Sequence, residues 1–413
     1  LKKNFSLVLI SNIVVALSKW IIVVVLAKTV GANLVGIYTF SLAVVSPIFM
    51  LTNLALRNLL VADVYENYNF SDYFTLRVLF SLIGFISSVS IGYYIRDGEY
   101  FTIILVMSSS KIIESLIDIF NGYQQKKGEF NIIAKCLIYR SIIGVLLFAL
   151  TLFITHNIII ALLLQVFSDI VVFLLIEVKH YLSENESKTL IPNLTYNNIS
   201  LIKAAVPIAS VSLLGTLNIN IPRYILEAKL GLYELGIYSG IIYFTVAGNT
   251  IISALGQASI GKFSNLLKKN ESLKYKYLLY KLTFVVFTIG LVGIAISYIA
   301  GEDILRIAYS EDFAQYKDLF ILVMVNGLIM YIASFLGFLQ ITAKDLHVMY
   351  LKVYVCTIAI NTFLSYYFIS QYSIAGAIYS SIISFLFLSF LSFYILMKRV
   401  NTIHNIFIRV QDV

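Results

Sequence analysis

Apolar blocks of roughly twenty residues follow one another along this chain, separated by short polar breaks. Each block is about long enough to cross a bilayer's hydrocarbon core as a helix. Spans are predicted at 5–27, 37–60, 74–95, 100–120, 132–155, 157–178, 202–225, 237–260, 281–300, 319–341, 346–368 and 373–397. Only 13% of the 413 residues are charged, against about a quarter in soluble domains. The expected fold class is therefore an all-α integral membrane protein of about 12 transmembrane helices. Lys2 and Lys3 ahead of an apolar run resemble a signal peptide. That run is too long, contains Lys19 and has no small-residue cleavage site, so it is read as the first span. Cys136 and Cys356 both lie in apolar blocks and form neither a disulfide framework nor a metal site.

Twelve spans put both termini on one side. One set of loops carries sixteen Lys and Arg, the other only Lys28, Arg96, Lys229, Arg306 and Lys317. The basic set marks the cytoplasmic face, so both termini are expected to be cytoplasmic, in a cytoplasmic (inner) membrane. The net charge of +8 then has a topological cause and calls for no nucleic-acid partner. The longest polar break runs from Lys179 to Ser200. It divides the chain into an N-terminal six-helix lobe (1–178), a cytoplasmic linker (179–200) and a C-terminal six-helix lobe (201–413). Because six is even, the two lobes should share one topology, related by a pseudo-twofold along the membrane normal.

A repeat supports that division. "VGANLVGIYTF" begins at Val30 and "LGLYELGIYSG" at Leu230. Gly31, Gly36, Ile37 and Tyr38 match Gly231, Gly236, Ile237 and Tyr238, each time between the first and second helices of a half. Each glycine pair is expected to let the chain reverse without a Cβ penalty. A second feature, "LLKKNESLKYKYLLYK" from Leu266, suits either a helix lying on an anionic leaflet or a solvated basic loop.

Ionisable groups inside spans are costly, about 2.5–3.5 kcal/mol each by insertion scales. Arg57, Arg77 and Lys135 lie near span ends, where a long side chain can snorkel. Lys19, Lys111, Glu114, Arg140, Asp169 and Arg223 lie deeper. Ser108, Lys111, Glu114, Ser115 and Asp118 form one polar stripe down the fourth span. Ser11, Asn12, Ser18 and Lys19 share a face of the first, and Gln165 and Asp169 a face of the sixth. Ser212, Thr216, Asn220 and Arg223 line up in the seventh, and Asn249, Ser253 and Gln257 in the eighth. Such stripes converge either on a water-filled cavity or on dry interhelical hydrogen bonds. Asn12, Ser115, Asn220, Asn249 and Gln257 are the candidate cavity-lining polar residues. Lys19, Arg57, Lys111, Arg140 and Arg223 supply more cation than Glu114 and Asp169 can neutralise, which suits an anion. Arginine's fork in particular fits phosphate oxygens. Glu114, Asp118 and Asp169 are candidate ion-coupling carboxylates for H+ or Na+, with Glu114 equally able to pair with Lys111. Pro47 interrupts the second span and Pro207 and Pro222 the seventh, making them candidate hinges.

Three stretches carry a family resemblance. "LAKTVGANLVGIYTFSLAV" (Leu26–Val45) is similar to a first-loop signature, with Lys28 where arginine is usual and Val30 before the glycine. "ILRIAYSEDFAQ" (Ile304–Gln315) resembles an outer loop before the tenth helix, with Ser310 in place of a common glycine. "SIAGAIYSSII" (Ser373–Ile383) resembles the Gly-Ala start of a twelfth helix. Together they resemble the Wzx-type polysaccharide/O-antigen flippases of the multidrug/oligosaccharidyl-lipid/polysaccharide (MOP) exporter superfamily. The resemblance implies a V-shaped pair of six-helix lobes and no enzymatic activity. It also implies transfer of undecaprenyl-pyrophosphate-linked oligosaccharide from the inner to the outer leaflet by alternating access, for O-antigen or capsule assembly. Membrane lipids and the polysaccharide polymerase machinery are the implied partners, and no cofactor is implied beyond an ion gradient. A related branch moves the peptidoglycan lipid precursor with cations on its first, second and eighth helices. Lys19 and Arg57 match the first two, but the eighth span here offers only Asn249, Ser253 and Gln257, which argues against that substrate. Two rivals are an ion-coupled exporter of another lipid-linked or amphipathic solute, and a membrane enzyme of the same pathway. An exporter of cationic drugs would want carboxylates to dominate the cavity. An enzyme would want a larger outer loop than roughly 301–318. His156, His180, His347 and His404 sit at helix ends or loops, which fits a histidine-based acyltransferase poorly.

Overall fold

The computed structural model describes residues 2–63, 67–95, 98–184, 192, 196–340 and 347–411, helical almost throughout. It forms two compact units, Leu1–Leu217 and Asn218–Val413. The division falls inside a helix rather than in the 179–200 break. Much of that break, 185–191 and 193–195, lies outside the described residues.

In the first unit, α1 spans Lys2–Thr29, α2 Ala32–Thr52, α3 Leu56–Ala62, α4 Phe70–Ile95, α5 Glu99–Lys127 and α6 Phe130–Thr155. α7 (Ile158–Val172) runs through a π-helical segment, Phe173–Val178, into α8 (Lys179–Glu184). α9, Tyr196–Leu230, contains the boundary between the units. The second unit continues with α10 (Leu232–Ile242), α11 (Phe244–Lys268), α12 (Ser272–Ala308), α13 (Glu311–Ala314), α14 (Lys317–Gln340) and α15 (His347–Gln411).

Among the described residues nine helices are long and apolar enough to cross a membrane, or ten if the bent pair α10–α11 is one span. The expected twelve are reached by two additions. α5 is 29 residues long but its polar stripe lowers its hydropathy. α15 is 65 residues long and kinks at Ser373, where φ is 52°, so it holds two spans. Large apolar side chains such as Phe153, Phe167, Leu175 and Phe363 are exposed. Lipid covers such residues at no cost, while helical pairing satisfies the backbone.

The repeated glycine motif marks equivalent turns. Gly31 (φ 88°) and Gly231 (φ 100°) each precede the first residue of the next helix, in a region closed to most side chains. Gly36 and Gly236 do not take part in the reversal: both are buried inside the following helix, α2 or α10. The turn thus needs one glycine of each pair.

The second span is broken, but not at its proline. α2 continues through Pro47 to Thr52, and the chain then turns at Leu54 (φ 50°) and Ala55 (φ 47°) before α3. Two successive non-glycine residues in the left-handed region are strained and persist only where their surroundings hold them. α9 likewise runs as helix through both Pro207 and Pro222. The stretch at 266–281 is neither a separate leaflet-bound helix nor an extended loop. It is the end of α11, a tight turn at Lys269–Glu271 and the start of α12.

One hydrophobic cluster of the first unit gathers where α3, α4, α5 and the π-helical segment meet. Phe70, Phe120, Phe173 and Tyr181 pack there edge to face. Asp63, just past α3, ties the next turn down by accepting from the Asn67 and Tyr68 N–H groups at 3.0 and 3.1 Å. Partial burial pushes its carboxyl up, and the two backbone donors, the Asn67 side-chain amide and the nearby Lys126 charge together more than offset this, leaving it below the usual carboxylate range. Leu339, Phe335, Phe263 and Tyr275 centre the core of the second unit.

Candidate functional site

The polar stripe of α5 organises the site, and all of its ionic partners lie in the first unit. Glu114 accepts from three cations. Lys111, one turn back on α5, is at 2.5 Å, Arg140 of α6 at 3.4 Å and Lys19 of α1 at 3.5 Å. Arg140 also reaches Asp169 of α7, Nε to Oδ1 3.8 Å. One turn along α5, Asp118 takes Arg57 of α3 at 3.2 Å and Arg77 of α4 at 3.0 Å, one on each oxygen. Arg57 further donates to Gln125 Oε1 at 2.9 and 3.3 Å. A Cβ on Gly122 would meet Arg57 Cγ at 3.0 Å, so this glycine allows α3 to lie close against α5.

The break after α2 belongs to this network. Asn53 Oδ1 accepts from Arg77 at 2.5 Å and from Ser115 Oγ at 2.6 Å. The same ion-paired arginine thereby holds the strained turn at Leu54 and Ala55. Arg77 does not snorkel as its place near a span end suggests: its side chain is 0% exposed. Lys135, by contrast, is exposed as expected.

Glu177 completes the set. It sits on the π-helical segment, is fully buried, and makes no ion pair among the described residues. Its polar neighbour is the buried Cys136 thiol. π-helical turns inside α-helices recur at functional positions. With Asp118 and Glu177 counted, five cations (Lys19, Arg57, Arg77, Lys111, Arg140) face four carboxylates (Glu114, Asp118, Asp169, Glu177). Within the first unit the excess is thus one cation, because Asp118 takes two arginines and Glu177 adds a fourth carboxylate.

Exposure sorts these residues. Lys19 is 46% exposed and Arg57 32%, so both present charge outward from the helices. Arg140 is 10% exposed and Asp169 6%, so these are internal struts. Ser115 is not cavity-lining as expected: it is buried and spends its hydroxyl on Asn53. Ser108 is also buried, donating to the backbone of Ile104 and accepting from Ser88. The stripe therefore divides into a dry flank (Ser108, Ser115) and a partly open one (Lys111, Glu114, Asp118). Asn12 is exposed on α1.

The second unit holds further polar residues expected from the sequence. Arg223 donates from NH1 to the buried Asn220 at 2.8 Å, while its buried Nε has no partner among the described residues. Asn249 Oδ1 is buried with no hydrogen-bond partner among the described residues, and Gln257 is exposed.

The sequence model of the polysaccharide biosynthesis protein family matches residues 1–267, which include the whole ionic network. The chain belongs to this family. It is 28% identical over 403 residues to the "Capsular polysaccharide biosynthesis protein CapF" of Staphylococcus aureus, covering 96% of this chain and 99% of that one. Its fold is similar to that of a multidrug resistance MATE family transporter of the MOP superfamily solved in an inward-facing conformation. The TM-score is 0.74 at 13% identity, over 95% of this chain and 96% of that one. An outward-facing structure of such a transporter matches with a TM-score of 0.68 at 12% identity, over 98% and 97%. The fold expected from the sequence is thus that of the MOP superfamily, and the family is one of polysaccharide biosynthesis.

Proposed function

We propose that the chain is a flippase for undecaprenyl-pyrophosphate-linked oligosaccharide, moving repeat units to the outer leaflet of the cytoplasmic membrane by alternating access for surface polysaccharide assembly. The observation that carries this reading is the set of partly exposed cations, Lys19, Arg57 and Lys111, held on their helices by the partly exposed Glu114 and Asp118 of α5. A diphosphate can displace Glu114 from Lys19 most readily. That pair has the longest contact to Glu114, 3.5 Å, and the most exposed cation. Arg140 and Lys111 then keep Glu114 neutralised while Lys19 turns to the phosphate. Arg57 supplies a planar fork already oriented by Asp118 and Gln125. Arg223, with a free Nε–H, is the corresponding phosphate candidate in the second unit.

Coupling to a proton gradient is assigned to Glu177 rather than to Glu114 or Asp118, which are held in ion pairs. An unpaired carboxylate out of reach of water costs too much to keep charged and is held as the neutral acid. A helix movement that opens the π-helical segment to water would release its proton.

Polysaccharide-flippase deletion cells carrying Lys19→Ala, Arg57→Ala or Arg223→Ala test the binding role, scored by surface glycan per membrane-inserted protein. Each charge-assisted bond is worth about 1.5–3 kcal/mol, roughly tenfold to a hundredfold in binding. Strong losses are expected for Lys19→Ala and Arg57→Ala. Parental glycan levels from both would sink the phosphate-binding reading.

A further inference from the structure

We propose that Glu129, His180 and Glu184 form a site for a borderline divalent transition metal, of the zinc or cobalt(II) type, on the first unit. The site is separate from the ionic network along α5. Glu129 lies in the tight turn between α5 and α6, and His180 and Glu184 stand one turn apart on α8. Their ligand atoms all lie within 4.8 Å of one another.

The turn that presents Glu129 is rigidly built. Gly128 adopts φ 81°, its N–H donates to Gln125 O at 3.1 Å, and the Glu129 N–H donates to Gln124 O at 2.8 Å. This doubly bonded closure of α5 is a glycine C-cap of the Schellman type. Glu129 immediately precedes α6 and makes no capping bond to it, which leaves its carboxylate available elsewhere. Its carboxylate instead meets His180 Nε2 at 3.0 Å. The imidazole is also 3.5 Å from Glu184 Oε1. Lys127 binds the other oxygen of Glu184, Oε2, at 2.6 Å, which leaves Oε1 facing the histidine.

The separations match what a metal needs. A tetrahedral ion about 2.1 Å from each N or O ligand sets those ligands roughly 3.4 Å apart. The two His180 contacts, 3.0 and 3.5 Å, bracket that value before any movement. One imidazole nitrogen and two carboxylates suit zinc, cobalt(II) or manganese(II) better than calcium, which prefers six to eight oxygens. Histidine and glutamate four residues apart on a helix present both ligands on one face. The remaining position would be open to water. Such an ion would tie the α5–α6 turn to α8, directly ahead of the 185–195 stretch.

The test uses the full chain in detergent, treated with chelator and then titrated with Co2+ and Zn2+. Calorimetry reads stoichiometry, and the visible absorption of Co2+ reads coordination geometry. One equivalent with tetrahedral-type absorption is expected. His180→Ala and Glu129→Gln should each weaken it at least about tenfold, the scale on which even outer-shell changes act. Lys127→Ala, which removes a competing cation, should keep or tighten it. Parental elution and far-ultraviolet dichroism establish that each variant is folded. No saturable binding, or binding unchanged in His180→Ala, overturns the proposal. So does binding of Mg2+ or Ca2+ as tight as that of Zn2+, which would reveal a diffuse acidic surface only.

Discussion

Glu114→Gln is expected to destabilise the first unit by about 3 kcal/mol, the lower end of the range for breaking a buried ion pair, because the carboxyl is a quarter exposed. The substitution keeps shape and one acceptor but leaves Lys19, Lys111 and Arg140 facing one another without their shared anion. Arg140 retains Asp169, whereas Lys111 has no second acid among the described ion pairs. Thermal unfolding in detergent, followed by a probe in the first unit, measures the loss. Adding Lys111→Met should recover part of it, since the pair is coupled and a double-mutant cycle will not be additive. Unchanged stability in Glu114→Gln would show that the three cations do not depend on this carboxylate.

Glu177→Gln should have the opposite profile. If Glu177 is carried as a neutral acid, the amide replaces it with almost the same shape and no change in charge. Stability should then stay close to that of the parent, well short of the roughly 3–5 kcal/mol lost when a buried ion pair is broken. Transport is where the effect should be large. In proteoliposomes with an imposed pH gradient, the parent should move lipid-linked substrate faster than without one. The variant should run at the gradient-free rate in both conditions. Strong destabilisation would mean that Glu177 is an ionised strut, and full gradient dependence would place coupling elsewhere.

Much of this arrangement was legible in the sequence. The α5 stripe identified Lys111, Glu114 and Asp118 as one face, and depth in the spans singled out Lys19, Arg140 and Asp169. Five of them meet in the cluster around Glu114, and Asp118, one turn along α5, anchors a second cluster with Arg57 and Arg77. The repeat at Gly31 and Gly231 located equivalent turns, because positive φ leaves a glycine signature. What sequence could not convey was which neighbours fold against a given position. Arg77 lies near a span end and looked free to snorkel, but α4 packs it against Asn53 and Asp118. The break at Leu54 and Ala55 contains neither glycine nor proline, so nothing local announces it, whereas Pro47 announces a break that is absent from α2. Ser115 shares the stripe's spacing, but its flank faces the end of α2 and is dry. Glu177 sits at the predicted end of a span, where a carboxylate ordinarily meets water. Only the π-helical turn and the packing around Cys136 put it inside. In hindsight Asp169 and Glu177, eight residues apart, were a signal to extend the sixth span's polar face.

The proposed hold of the first unit's cations on the diphosphate of a lipid carrier is tested most directly by binding to the purified protein in nanodiscs, comparing undecaprenyl pyrophosphate with the uncharged alcohol of the same chain. The account predicts saturable binding of the diphosphate alone, weakened at least about tenfold in a Lys19→Ala, Arg57→Ala double variant, on the scale of one charge-assisted bond or more. Equal binding of the uncharged alcohol, or undiminished diphosphate binding by the double variant, would contradict it.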